Sequence, residues 1–179
     1  MTTSPASLTA SERACLETID QTAMLQQVEA WAAINSGSGN LEGLARTAAL
    51  LADACAALPG TVQMVDGAPV EAVRTDGSVD TIERGQHLVL SVRPDAPLRL
   101  LLTGHMDTVF PADHGFQTLR WLEPGVLNGP GVADMKGGIA VMLAALRAVE
   151  TSPLAATIGY DVLINSDEEV GSGSSAPLI

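Results

Sequence analysis

Aromatic side chains are scarce in this 179-residue chain, with two Trp, two Phe and one Tyr making up 3%. Leu, Val and Ala must therefore fill its interior. Cationic side chains are also few. Nine Lys and Arg stand against 21 Asp and Glu, a net charge of −12, and that excludes a nucleic-acid partner, which needs clustered basic residues. There are two cysteines, Cys15 and Cys55, and neither sits in a metal-type pair. Each falls on the apolar side of a helical pattern and reads as a buried free thiol in a reducing compartment. No apolar run reaches membrane-spanning length, and Met1–Asp20 lacks a basic segment followed by an apolar one. The expectation is a cytoplasmic protein without a membrane partner.

What is present builds a core. Hydrophobic residues make up 46% and charged residues 17%, a composition for one folded domain. Helical spacing runs from Ser11 to Ile34, with Leu16, Ile19, Ala23, Val28 and Trp31 near one stripe. The break Asn35–Asn40 precedes a second helical stretch, Leu41 to Leu58, which Pro59-Gly60 stops. Strands are predicted at Thr61–Val65, Pro69–Arg74, His87–Arg93 and Leu98–Thr103. The continuous Leu100-Leu101-Leu102 run suggests a strand covered on both faces. Phe116–Asn128 reads as hairpin or loop. Asp134–Glu150 reads as a helix apolar nearly all round and deeply buried, and Thr157–Asn165 as a buried strand. Strand, loop, helix, strand is a βαβ-like crossover, with acids outside the strand ends where such folds place ligands.

Three segments carry chemistry. His105 and Asp107 follow the Leu100–Leu102 strand, and residues two apart in an extended chain point the same way. An imidazole beside a carboxylate suits a metal ligand with its orienting partner, and it equally suits a solvated polar strand end. Gly129, Gly131, Gly137 and Gly138 flank Asp134. Asp is a favoured helix N-cap, but capping does not explain Gly-Gly in a first helical turn, where each glycine costs up to ~1 kcal/mol against alanine. Glu168 and Glu169 end the Thr157–Asn165 strand. Adjacent side chains there diverge, so one can bind metal while the other faces water as a general base. The triplet Asp167-Glu168-Glu169 is equally compatible with a solvated helix N-terminus. His87 reads as a core or surface histidine, and nothing requires His114 in a site. Lys136 reads as a packing or ion-pair residue, and Ser172, Ser174 and Ser175 as polar helix-start residues.

Together, Leu101-Leu102-Thr103-Gly104-His105-Met106-Asp107-Thr108-Val109, Asn128-Gly129-Pro130-Gly131-Val132-Ala133-Asp134-Met135-Lys136-Gly137-Gly138 and Asn165-Ser166-Asp167-Glu168-Glu169-Val170-Gly171-Ser172 resemble the three successive signatures of the M20 metallopeptidases. That family includes glutamate carboxypeptidases, acetylornithine and succinyl-diaminopimelate deacylases, aminoacylases and dipeptidases. The similarity runs from about Met24 onward.

The resemblance implies an α/β fold: a truncated three-layer αβα zinc-peptidase-like catalytic domain with a largely parallel mixed sheet. It also implies zinc, two ions in the complete enzyme, with cobalt or manganese as possible substitutes. His105 would ligate one ion, Glu169 the other, and Asp134 would bridge both. Glu168 would be the general base, Asp107 would orient His105, and the Asp134–Met135 peptide would be cis. The chemistry implied is hydrolysis of an amide in a small peptide or an N-acyl amino acid, by a longer protein that forms a homodimer. The family pattern has a later acidic ligand, a C-terminal histidine and a lid and dimerisation domain. None of these falls within residues 1–179, which are expected to be the N-terminal portion of the catalytic domain and to be inactive or nearly so alone. An alternative is a non-catalytic binding or assembly domain that retains the motifs. A two-metal phosphoesterase ranks last, because Lys136 alone is near the acids to hold phosphate.

Overall fold

The helical stripe read across residues 11–34 divides in two. The structure, a computed structural model, describes residues 8–179. Helix α1 (Ala10–Glu17) starts at a capping box, in which Thr9 and Glu12 satisfy each other's backbone amides. Helix α2 (Gln21–Ala32) starts at Asp20, whose carboxylate accepts from the amides of Thr22 and Ala23. This second cap splits the predicted helix. Only α2 reaches the core, through Val28 and Trp31. Helix α1 buries no residue, so Cys15 is half-buried rather than buried, while Cys55 is buried as expected. Helix α3 (Leu41–Cys55) runs from the Asn40 cap and buries Leu44, Ala48, Leu51 and Cys55 along one stripe.

Strands β1 (Thr61–Val65), β4 (His87–Val92), β5 (Leu98–His105) and β8 (Ile158–Asn165) form the main sheet in the order β1-β4-β8-β5. Strands β2 (Val70–Val73) and β3 (Val79–Ile82) make a separate hairpin, of which β3 lacked a sequence signal. Strands β6 (Arg120–Glu123) and β7 (Val126–Asn128) make another, within the segment read as hairpin or loop. The sheet is mixed, as expected, but antiparallel pairings outnumber the parallel one: β1–β4 and β4–β8 are antiparallel, and β5–β8 is parallel. The parallel pair is joined by helix α4 (Gly137–Glu150), the predicted crossover.

One sheet face carries all the helical packing. Leu88, Leu90, Val92, Tyr160, Val162 and Ile164 project from it into a single cluster with Trp31, Leu44, Leu51, Ile139 and Leu143. On the opposite face Leu101 is 53% exposed, and Arg99 pairs with Asp161 in the open. The described residues thus form two of the three expected layers. They also overturn the reading of β5 as a strand covered on both faces: it is the sheet edge, with β8 on one side and no helix over Leu101. Helix α4 is likewise less enclosed than its composition suggested, since Val141 is 57% exposed while Ile139, Leu143 and Leu146 are buried. No helix among the described residues is long and apolar enough to cross a membrane.

Candidate metal centre

The C-terminal ends of β5 and β8, side by side in parallel register, bring the predicted residues together. His105 pairs in register with Asn165, three residues before Glu168, and the amide of Met106 extends the pairing by donating to the Asn165 carbonyl at 2.8 Å. Met106 points into the core, so His105 and Asp107 on either side of it share the other direction. The His105 Nδ1 lies 3.1 Å from the Asp107 carbonyl oxygen and 3.4 Å from its carboxylate. Its Nε2 is 3.0 Å from Asp134 Oδ1 and 4.0 Å from Glu168 Oε2.

Asp134 lies at a kink in the turn Val132–Lys136 that precedes α4. With φ −125° and ψ 98° it is non-helical, and the cap position of α4 belongs to Lys136. The N-cap alternative for Asp134 therefore falls away, and its side chain is 75% exposed beside His105. The Asp134–Met135 peptide is cis, as the resemblance implies. Lys136 anchors the turn: its Nζ is buried and donates to the carbonyls of Trp31 (3.1 Å) and Ile34 (3.2 Å) at the end of α2. These contacts are neutral, so Lys136 forms no ion pair, and burial pulls its ammonium down to about 8. Gly137 is required by space, because a Cβ there would sit 2.6 Å from the Val132 carbonyl oxygen.

Glu168 and Glu169 lie on a short 3-10 turn, Glu168–Val170, whose backbone is held by Asp107. The Asp107 carboxylate accepts from the amides of Glu168 and Glu169, each at 3.2 Å, and from Ser38 Oγ at 2.7 Å. Asp107 thus fixes the acidic pair as well as facing His105. Ser38 carried no sequence signal beyond a run of small polar residues. It reaches the site because Gly37 bridges to Thr108 and Ser36 Oγ donates to the Met106 carbonyl. Two other histidines lie elsewhere: His114 packs at a tilt against Phe110 in a loop, and His87 is buried under the sheet end.

His105, Asp134 and Glu169 each offer one ligand atom, and these atoms all lie within 4.8 Å of one another. Burial lowers the proton affinity of His105, but the Asp107 and Asp134 contacts outweigh it and push the imidazole up to about 9. Burial raises the Glu169 carboxyl, Asp134, Asp107 and Glu168 add to the shift, and His105 opposes it. Four carboxylates crowded around one imidazole, with nitrogen and oxygen donors converging, fit a divalent cation.

The comparisons agree with this geometry. Residues 101–179 match the model of peptidase family M20/M25/M40. This part of the chain belongs to the M20 family. Carboxypeptidase G2 of Pseudomonas sp. (strain RS-16) is 30% identical over 162 residues, 90% of this chain and 36% of that protein. Acetylornithine deacetylase of Proteus mirabilis (strain HI4320) is 39% identical over 94 residues, 48% of this chain and 22% of that one. Human carnosine dipeptidase 1 superposes with a TM-score of 0.70 at 26% identity, covering 96% of this chain and 37% of its own. The chain therefore spans about a third of the M20 relative it matches over most of its length. Metallopeptidases and deacylases of one family are its relatives, and a divalent metal is the family's common element.

Proposed function

We propose that residues 1–179 supply the N-terminal part of the catalytic domain of a zinc-dependent amidohydrolase, an exopeptidase or N-acyl amino acid deacylase. The convergence of His105, Asp134 and Glu169 at the ends of two parallel strands carries this reading. In it, His105, Asp134 and Glu169 would be the residues of this chain that hold zinc. When bound, the ions polarise the scissile carbonyl and acidify water.

The chain's own residues do the rest. Asp107 holds the His105 ring so that Nε2 faces Asp134 and Glu168. Glu168, whose carboxylate is 4.0 Å from that nitrogen and largely exposed, takes the proton from the attacking water and delivers it to the leaving amine. Three converging protein ligands are fewer than two four-coordinate ions require. The same reading therefore has this polypeptide alone binding metal weakly and turning over little or no substrate, with the homodimeric longer protein completing the site. The names of the relatives point to peptides and N-acyl amino acids as the substrate class. Two unpaired thiols support a reducing, cytoplasmic setting.

The test uses a longer protein containing these residues, assayed on dipeptides and N-acyl amino acids with zinc. Glu168→Ala should lower kcat by ~10²–10⁴ while zinc still binds. Undiminished kcat in that variant would overturn the assignment of the base. Failure of His105→Ala to weaken zinc binding would overturn the metal centre.

A further inference from the structure

A second polar constellation lies directly behind the acidic pair, and the amide-hydrolysis reading does not use it. His87, buried at the start of β4, accepts from the Ser166 amide at Nδ1 (3.2 Å) and faces Ser174 Oγ with Nε2 (3.1 Å). Ser166 Oγ is committed to the Gly85 carbonyl at 2.7 Å, so it does not donate to the ring. With Nδ1 accepting, the ring hydrogen belongs to Nε2 and is donated to Ser174 Oγ. Ser174 Oγ in turn donates to Asp167 Oδ2 at 2.8 Å. The same carboxylate also takes the Ser174 amide at 2.7 Å and Ser175 Oγ at 2.7 Å. Every donor in this chain has an acceptor, and the direction is fixed throughout: Ser166 amide to His87, His87 to Ser174, Ser174 to Asp167.

The order of the groups excludes a second hydrolase. In a nucleophilic triad the imidazole lies between serine and carboxylate and takes the serine proton. Here the serine is in the middle, its proton already goes to Asp167, and Ser174 is 1% exposed. The loop after β1 seals the group: a Cβ at Gly67 would sit 2.6 Å from both His87 Nε2 and Ser174 Cβ, and the Ala68 amide donates to the Ser174 carbonyl. Such a dry, fully paired polar network is worth keeping only if it fixes something. What it fixes is the backbone of Ser166 and Asp167, the two residues leading into Glu168.

We propose that His87, Ser174 and Asp167 are positioning residues that hold the Glu168–Glu169 turn from behind, while Asp107 holds its amides from the front. This rests on the reading of Glu168 and Glu169 as site carboxylates. Neither His87 nor Ser174 touches the cation or substrate; each acts through the backbone that carries the acids.

The test compares the 179-residue chain with Ser174→Ala, His87→Leu, His87→Gln and the double variant Ser174→Ala/His87→Leu, with Leu143→Ala as a control for simple destabilisation. Two readouts are taken: amide hydrogen exchange at Glu168 and Glu169 without metal, and titration with cobalt(II) alone followed by its visible absorption. Ser174→Ala and His87→Leu should each speed exchange at these two amides at least tenfold relative to α4 amides. Each should also weaken cobalt binding ~10–100-fold, the range for groups that orient metal ligands. The double variant should add little to either single one. His87→Gln, which keeps a donor toward Ser174, should recover part of the loss, and Leu143→Ala should leave cobalt affinity unchanged. Exchange at Glu168 and Glu169 that rises only in step with α4, or equal losses in Leu143→Ala, would overturn the proposal. If His87→Leu does not fold, Ser174→Ala decides alone, since it removes one oxygen. If the parent chain takes up no cobalt, the weak binding expected of this chain alone fails, and exchange at the two amides still decides the positioning role.

Discussion

Replacing Asp107 by asparagine should damage the site out of proportion to its one-atom change. The buried carboxylate serves three donors: Ser38 Oγ at 2.7 Å and the Glu168 and Glu169 amides at 3.2 Å each. It also lies 3.4 Å from His105 Nδ1. An asparagine side chain has one acceptor oxygen and one donating NH2. If the NH2 replaces Oδ1 it opposes the Glu168 amide, and if it replaces Oδ2 it opposes the Glu169 amide. One backbone N–H is unpaired in either orientation. An orphaned buried donor costs about 1–3 kcal/mol, and loss of the charge weakens the remaining bonds, so Asp107→Asn should destabilise by about 2–4 kcal/mol. Asp107→Ala strands all three donors at about 3–5 kcal/mol, a large share of a total stability of about 5–15 kcal/mol. Urea unfolding followed by far-ultraviolet circular dichroism measures the stability loss. Cobalt titration of the folded variant should show at least ~10-fold weaker binding, because the ring loses its orienting partner. A change in unfolding free energy below about 0.5 kcal/mol, the range of an ordinary surface substitution, together with unchanged cobalt binding, would refute this account of Asp107.

Other perturbations probe the core and its titrating groups. Leu143→Ala, in the buried stripe of α4, should cost about 2–5 kcal/mol, whereas Val141→Ala on the exposed side should stay within about 0.5 kcal/mol, both by urea unfolding. Equal effects would mean that α4 packs by a different face. Burial pushes the Cys55 thiol up to about 11, with Arg147 opposing, from a starting value of 9.0. At neutral pH its thiolate is about a hundredfold scarcer than that of an ordinary thiol. A disulfide reagent should therefore titrate half-buried Cys15 first and Cys55 only on unfolding, and fast reaction of both would contradict the packing. Burial holds the His87 imidazole below its ordinary value, against the opposing pull of Asp167 and Asp107. The unfolded chain then takes up this proton near pH ~6.5 and the folded one only at lower pH. Stability from this group is complete above ~6.5 and is lost as the pH falls toward the folded value, so His87→Gln should flatten the decline of stability between about pH 7 and 5. A decline equally steep in that variant would assign it to other groups.

The sequence made legible what repeats or clusters locally. Helix α3, strands β1, β4 and β8, and the crossover through α4 follow from apolar periodicity and from Gly and Pro stops, which are properties of a few adjacent residues. Errors fell where an element's surroundings decide the outcome. Leu100-Leu101-Leu102 has the composition of an enclosed strand, but enclosure depends on neighbours, and β5 has a strand on one side only. The break at Asp20 was missed because a cap inside a periodic stripe leaves the stripe intact.

The candidate site divides along the same line. His105, Asp107, Asp134, Glu168 and Glu169 are chemically conspicuous, and the fold brings all five together. Their supports are Ser38, 69 residues from Asp107, and His87, 87 residues from Ser174, and small polar residues at such separations leave no periodic trace. The physical consequence reaches beyond prediction. The acidic pair has no helix to define its geometry, only a one-turn segment pinned by Asp107 on one side and led in through His87, Ser174 and Asp167 on the other. Like-charged neighbours that repel each other stay at ligand distance only if the backbone beneath them is held. In the proposed site the groups that hold this turn therefore matter as much as the two carboxylates it carries.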